Sequence, residues 1–211
     1  GLLNSIYTLQ GFVLSKEQAA NIAIEIERNI LAEPGGIQDQ IWASYGGLNT
    51  ITIHPSGSFC VQPISVNQAF KQELINRSII IYTGKTRKSF AIAKSLDQQR
   101  TDRHKKNILD IAHRAHEHFI NLDIDNIGIL LHKTWLEKKK LSLSISSEAI
   151  DKLYKDLQSD GMIGGKLMGA GKSGFIFGIL KDSRDKELIK KKYANYIDFA
   201  IDDEGSKIIN K

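Results

Sequence analysis

Residues 78–84, "SIIIYTG", form a continuous apolar run. That run does most to narrow the folds open to the chain. Its β-branched content and lack of polar alternation predict a strand buried on both faces. The segments after it are helical. Ile108, Ile111, Ala112, Ala115, Phe119 and Leu122 form one apolar stripe, and Ile127, Leu130, Leu131 and Trp135 form another. Ser147 caps a third predicted helix carrying Ile150, Leu153, Tyr154 and Leu157, which Gly161 ends. "GGKLMGAGKSGFIFGIL" reads as a glycine-rich stretch followed by a strand, "RDKELIKKKYANY" as a helix, and "DFAIDDEGSKII" as one or two final strands. The order of strand, helices, strand, helix and strand predicts an α+β layer of the split β-α-β kind.

The segment before the apolar run reads differently. Ser15 and Gln18 make a capping box for a helix that is expected to run to about Ala32, where Pro34, Gly35 and Gly36 stop it. Its stripe is Ala19, Ile22, Ala23, Ile26 and Ile30. On that wheel Glu27 lies roughly 80° from the stripe centre, at the edge of buried surface, and Glu25 about 120° away on the other side. "QDQIWASYGG" predicts a short helix with Asp39 in its first turn, and "LNTITIHP" with "SFCVQPI" predicts a hairpin. The composition changes at "NQAFKQELINR". This divides the chain into an expected first domain, 1–70, and a second, 71–211.

Several function classes fit poorly. Lys and Arg total 29 against 24 acidic residues, a net charge of +5, but the basic residues are dispersed, with no clustered stripe interleaved with aromatics. Nucleic acid is therefore not an expected partner, although some of these charges could attract a phosphorylated small molecule. The one cysteine, Cys60, rules out an intramolecular disulfide. No apolar run approaches the roughly 20 residues of a membrane span. The expectation is a cytoplasmic protein with no membrane partner.

Two familiar motifs fail on arithmetic. His116 and Glu117 would need a histidine at 120 to make a zinc-protease helix, and that residue is Ile120. "GAGKS" would need a glycine at 166 to make a Walker loop, and that residue is Lys166. What survives is a glycine-rich loop whose backbone can approach a ligand and turn amide donors toward an anion. Asp39 follows Gly35 and Gly36, which permit an unusual backbone path. Pattern alone leaves two readings of Asp39, a carboxylate complementing a helix dipole or one with chemistry to do.

Three stretches taken together, "AIEIERNILAEPGGIQDQIWASYGGLNTI", "YTGKTRKSFAIAKSL" and "GGKLMGAGKSGFIF…EGSKII", resemble the GHMP kinase superfamily, and "LHKTWLEKKKLS" extends the likeness over nearly the whole chain. The resemblance is strongest to the D-glycero-D-manno-heptose 7-phosphate kinase branch. It implies a two-domain α+β fold: a partial N-terminal domain and a ferredoxin-like C-terminal domain, with the active site between them. It also implies ATP and Mg²⁺, a sugar phosphate substrate, and phosphoryl transfer to the anomeric hydroxyl. Carried over by residue, Asp39 matches the carboxylate that takes or orients the hydroxyl proton, and Glu27 the helix carboxylate that binds Mg²⁺. Gly169, Ala170, Gly171, Lys172, Ser173 and Gly174 match the glycine loop beside the active site. Gly36 and Arg87 are weaker substrate candidates.

The chain departs from the family pattern in two places. The family's phosphate-binding loop would stand immediately before "GLLNSIYTLQG" and is not in this sequence, so this chain alone is expected to be inactive. "GAGKSG" stands where the pattern has "GAGGGG", placing a charge at Lys172 and a hydroxyl at Ser173. Another sugar 1-kinase of the superfamily and a non-catalytic relative are the rival readings. Retention of both Glu27 and Asp39 speaks against the second. A homodimer is left open.

Overall fold

The structure, a computed structural model, describes residues 1–33, 35–84, 98–142, 145–169, 171 and 173–209. The chain divides into two compact units, Gly1–Ser65 with Ile201–Lys211, and Val66–Ala200. The expected division after residue 70 differs from this at both ends. The helix at Gln68–Arg77 lies wholly in the second unit, and the last residues return to the first.

In the first unit, α1 (Leu2–Leu9) precedes α2 (Lys16–Glu25), whose capping box is formed as predicted. The Ser15 hydroxyl accepts the Gln18 N–H at 3.1 Å and the Gln18 side chain accepts the Ser15 N–H at 2.9 Å. The helix does not continue regularly to Ala32. It passes into a π-helical turn, Ile26–Ile30, in which Leu31 donates to the Ile26 carbonyl at 2.9 Å. The extra residue in that turn breaks the 100° spacing, and Ile30, expected on the apolar stripe, is 69% exposed. Then come α3 (Gln38–Tyr45) and the predicted hairpin, β1 (Asn49–Ile53) paired antiparallel with β2 (Phe59–Pro63). Residues 202–206 fold back on this unit. Ser206 donates to the Ala43 carbonyl at 2.9 Å, and Asn4 donates to the Ser206 hydroxyl at 2.8 Å. These backbone contacts take the segment in which a final strand was expected, and among the described residues no strand follows Ile197.

The second unit contains α4 (Gln68–Arg77), β3 (Ser78–Tyr82), α5 (Gln98–Ile120), α6 (Ile124–Leu141), α7 (Glu148–Ser159), β4 (Met162–Leu167), β5 (Phe175–Leu180), α8 (Asp185–Lys192) and β6 (Tyr196–Ile197). Its sheet runs β4-β5-β3-β6 with antiparallel neighbours. β3 and β4 are therefore parallel with β5 between them, which is the split β-α-β arrangement. The apolar run forms the predicted strand, with Ile79 and Ile81 fully buried alongside Trp135, Leu157, Leu167 and Ile176, but Ile80 and Tyr82 on its other face are only half-buried. Among the described residues no helix is long and apolar enough to cross a membrane.

Gly164 and Gly165, expected in a loop, lie inside β4. Their role is close packing. A Cβ on Gly164 would stand 2.2 Å from the Gly128 carbonyl oxygen of α6 and 2.8 Å from the His132 Cβ. Strand β4 is a sheet edge, so Gly165 turns its N–H and C=O away from β5. The Tyr154 hydroxyl of α7 takes up both, accepting the N–H at 3.0 Å and donating to the carbonyl at 2.9 Å, while His132 Nδ1 meets the same hydroxyl at 2.8 Å. Burial pushes Tyr154 up to about 12 and His132 below its ordinary value. Helix α5 is joined to α6 through Glu137, which His104 contacts at 2.7 Å, Asn107 at 2.9 Å and Lys140 at 2.5 Å.

Gly164→Ala is expected to lower the unfolding free energy by about 1–3 kcal/mol, measured by chemical denaturation, because the obstruction is helix backbone. The Lys140 and Asn107 hydrogen bonds, with that of His104, hold the Glu137 carboxyl at about 2, below its ordinary 4.5. A depressed carboxyl contributes stability above its unfolded value and loses it as pH falls through the folded one. The stability gap between wild type and Glu137→Gln is therefore expected to be full above about pH 5 and to close as pH falls toward 2.

Candidate functional site

The predicted site residues occupy two places, one in each unit. In the first unit the π-helical turn carries Glu27 and the first turn of α3 carries Asp39. A π turn reorients side chains relative to a regular helix, and such turns recur at functional sites. Glu27 is half-buried and Glu25 exposed, the relation that the wheel predicted. Beyond the turn, Glu33 donates to the Glu27 carbonyl at 2.9 Å, Arg28 donates to the Glu33 carbonyl at 3.0 Å, and Ala32 adopts a positive φ of 52°. These bonds close the helix end; Pro34, part of the predicted stop, lies outside the described residues.

Helix α3 has no side-chain cap at its start, and Asp39 is the acidic residue of its first turn, exposed to solvent. The neighbouring Gln40 and Ile41 are buried and anchor the helix, and Gly46, with φ 66°, ends it. The link between the two elements is the Gln40 side chain. Its Nε2 donates to Glu27 Oε2 at 2.5 Å. Glu27 is thereby held beside the residue that follows Asp39. Gln40 Oε1 is buried with no described partner, and no described donor reaches Glu27 Oε1. The sequence places Gln40 in the predicted short helix but assigns it no role. Only its burial opposite Glu27 reveals the role, although the Gln-Asp-Gln repeat was visible. Gly35 and Gly36 do not use the left-handed region, so the unusual backbone path expected there is absent. A Cβ on Gly36 would meet only the Gln38 side chain, at ordinary distance.

In the second unit, the loop between β4 and β5 is the predicted glycine loop. Gly169, Gly171 and Gly174 have φ of 75°, 114° and 114°, conformations that side chains rarely adopt. A Cβ on Gly171 would also stand 2.9 Å from the Ile145 carbonyl oxygen. Met168 and Phe175 close the loop at its base with a 2.8 Å hydrogen bond, and Thr83 of the β3 end donates through its N–H and its hydroxyl to the Gly174 carbonyl. Ser173 is half-buried. Ala170, Lys172 and Arg87 lie outside the described residues.

Comparisons with known proteins bear on part of the second unit. Residues 115–198 match the model described as GHMP kinases C terminal. They form a GHMP kinase C-terminal domain. The chain is 28% identical over 214 residues to a D-glycero-alpha-D-manno-heptose 7-phosphate kinase of Campylobacter jejuni, covering 98% of this chain and 63% of that protein. A Campylobacter jejuni structure described as a sugar kinase is 30% identical, with a TM-score of 0.74, covering 97% of this chain and 60% of that one. A D-glycero-D-manno-heptose 1-phosphate kinase structure from Bacteroides thetaiotaomicron has the same TM-score at 21% identity, covering 99% and 61%, and supports the fold alone. The chain thus spans about three-fifths of the length of these relatives. The GHMP domain contains the glycine loop, whereas Glu27 and Asp39 precede it.

Because Gln40 satisfies only one of its two polar ends, it contributes little to stability on balance. Gln40→Met is expected to change the unfolding free energy by less than about 1 kcal/mol, measured by urea denaturation. A larger loss would mean that the side chain is there for the core and not for Glu27.

Proposed function

We propose that the protein is an ATP- and Mg²⁺-dependent sugar kinase. Its proposed substrate is D-glycero-D-manno-heptose 7-phosphate, and its product the 1,7-bisphosphate. The observation that carries this reading is the Gln40–Glu27 hydrogen bond, which holds one carboxylate beside the helical turn that presents another. The sugar kinase relatives support the reaction class, and the one named as a heptose 7-phosphate kinase supports the substrate.

In this reading Asp39 accepts or orients the proton of the anomeric hydroxyl. The hydroxyl oxygen bonds to the γ-phosphorus of ATP, the bond to the β-phosphate bridging oxygen breaks, and ADP leaves. Exposure in the first turn of α3 suits the aspartate, whose charge there complements the positive end of the helix dipole. Glu27 suits a hard cation: one oxygen is fixed by Gln40 and the other meets no described donor. Mg²⁺ takes few protein ligands and keeps waters and phosphate oxygens, so one carboxylate is a reasonable share. When bound, the ion would neutralise charge on the β- and γ-phosphates. The glycine loop contributes backbone donors, with Lys172 and Ser173 as additions specific to this chain. Gly36 and Arg87 are assigned to the substrate on the same reading. The exposed thiol of Cys60 fits a reducing compartment, and we place the reaction in the cytoplasm.

In the full-length protein, Asp39→Asn is expected to reduce sugar-dependent ADP release by about 10²- to 10⁴-fold. As an exposed substitution it should leave the unfolding free energy within about 0.5 kcal/mol of wild type. Turnover near the wild-type rate would remove Asp39 from the chemistry. A panel of free and phosphorylated sugars in the same assay separates the heptose 7-phosphate from other sugar 1-kinase substrates.

A further inference from the structure

Lys138, Lys139 and Lys140 close helix α6 as three consecutive ammonium groups, and they meet different partners. Lys139 pairs with Asp151 at 3.1 Å and Lys140 with Glu137 at 2.5 Å. Lys138 pairs with no carboxylate among the described residues. Its Nζ donates to the Gly169 carbonyl at 2.6 Å and approaches the Leu167 carbonyl at 3.4 Å. It therefore grips the end of β4 and the first glycine of the loop, drawing carbonyl oxygens toward α6. The N–H groups of Gly169, Gly171 and Gly174 donate to no described acceptor.

A partly buried cation whose described partners are neutral carbonyls gains a counter-charge when an anion binds nearby. We propose that Lys138 is a positioning residue of the glycine loop, pinning the Gly169 carbonyl and supplying the positive charge that stabilises a phosphate group bound there. The inference rests on the kinase reading only for the source of that phosphate, nucleotide or sugar phosphate. The state of the free protein agrees with it: burial, and then the charge of Lys166, push Lys138 down to about 8. Among the described groups facing this helix end, Lys166 on β4 is the charge that acts on Lys138. Glu137, beside His104 of α5, is held by Lys140, and Asp151 of α7 by Lys139. Tyr154 of α7 titrates only near 12.

An anion that restores the proton on Lys138 binds with proton uptake, so its affinity falls as pH rises past about 8. Isothermal titration calorimetry between about pH 7 and pH 10, with sulfate, ADP and glucose 6-phosphate as separate probes, tests this. The expected result is binding of at least one probe, with affinity falling toward tenfold per pH unit above about pH 8. Lys138→Arg should keep the affinity at neutral pH and lose the slope. Lys138→Met should lose roughly tenfold in affinity at neutral pH and also lose the slope. The probe that responds identifies the source of the phosphate. Absence of binding by all three probes, or a wild-type slope that persists in either variant, overturns the proposal. A Lys138-dependent slope on sulfate without any sugar-dependent ADP release by the full-length protein would instead overturn the kinase reading alone.

Discussion

The second unit depends on the close approach of α6 to β4, where the Gly128 carbonyl lies against Gly164. A Cβ on Gly164 would collide with that carbonyl, and one on Gly128 would crowd Ile163 and Ile179 at 3.2–3.3 Å, so the two glycines let helix and strand lie this near each other. That meeting point sets both the height and the rotation of α6 on the sheet. His132, one turn on, then reaches the Tyr154 hydroxyl that closes the β4 edge. Lys138, about three turns beyond Gly128, or about 15 Å along the axis, reaches the glycine loop. A shift of one residue in that packing would turn Lys138 by about 100° and take it away from the Gly169 carbonyl. Core packing and the state of the loop are thus set by the same contact.

The first unit relies on a different device. A regular continuation of α2 would have placed Glu27 by the wheel alone. The π-helical turn gives its carboxylate a separate setting, and Gln40 fixes it there. The arrangement leaves a buried carbonyl oxygen on Gln40 without a described partner and a large apolar side chain, Ile30, in solvent. Both are costs in stability. Local departures of this kind are usual where a structure serves chemistry and not packing. The first unit carries Glu27 and Asp39 on neighbouring elements, and the second carries a glycine loop whose Gly169 carbonyl Lys138 holds.

Much of this was legible in the residues. The Ser15 capping box, the hairpin, the buried strand at 78–82 and the three long amphipathic helices each follow from local periodicity and capping chemistry, and each is present. Residues whose behaviour depends on a distant partner were not legible. Gly164 and Gly165 read as loop glycines because a strand interior normally disfavours glycine. Their reason for being there is the backbone of α6 and β5. The segment expected to hold a final strand near the end of the chain is bent, with Gly205 at φ 66°, and it bonds to Ala43 and Gly47 instead of to a sheet. Asp39 was singled out from its place in a helix start, whereas Gln40, the residue that connects it to Glu27, was not.

The sequence by itself determined the α+β character, the capped and striped helices, the resemblance to sugar kinases and the identity of the carboxylates worth testing. The helices and caps depend on spacings of a few residues, which the chain carries locally, and the two carboxylates follow from the resemblance. Only the tertiary structure decided that Lys138, alone of three adjacent lysines, turns inward to the glycine loop. Only the tertiary structure decided that Gln40 holds Glu27. Both decisions depend on which groups already have partners, and that is settled by burial and by contacts between residues far apart along the chain.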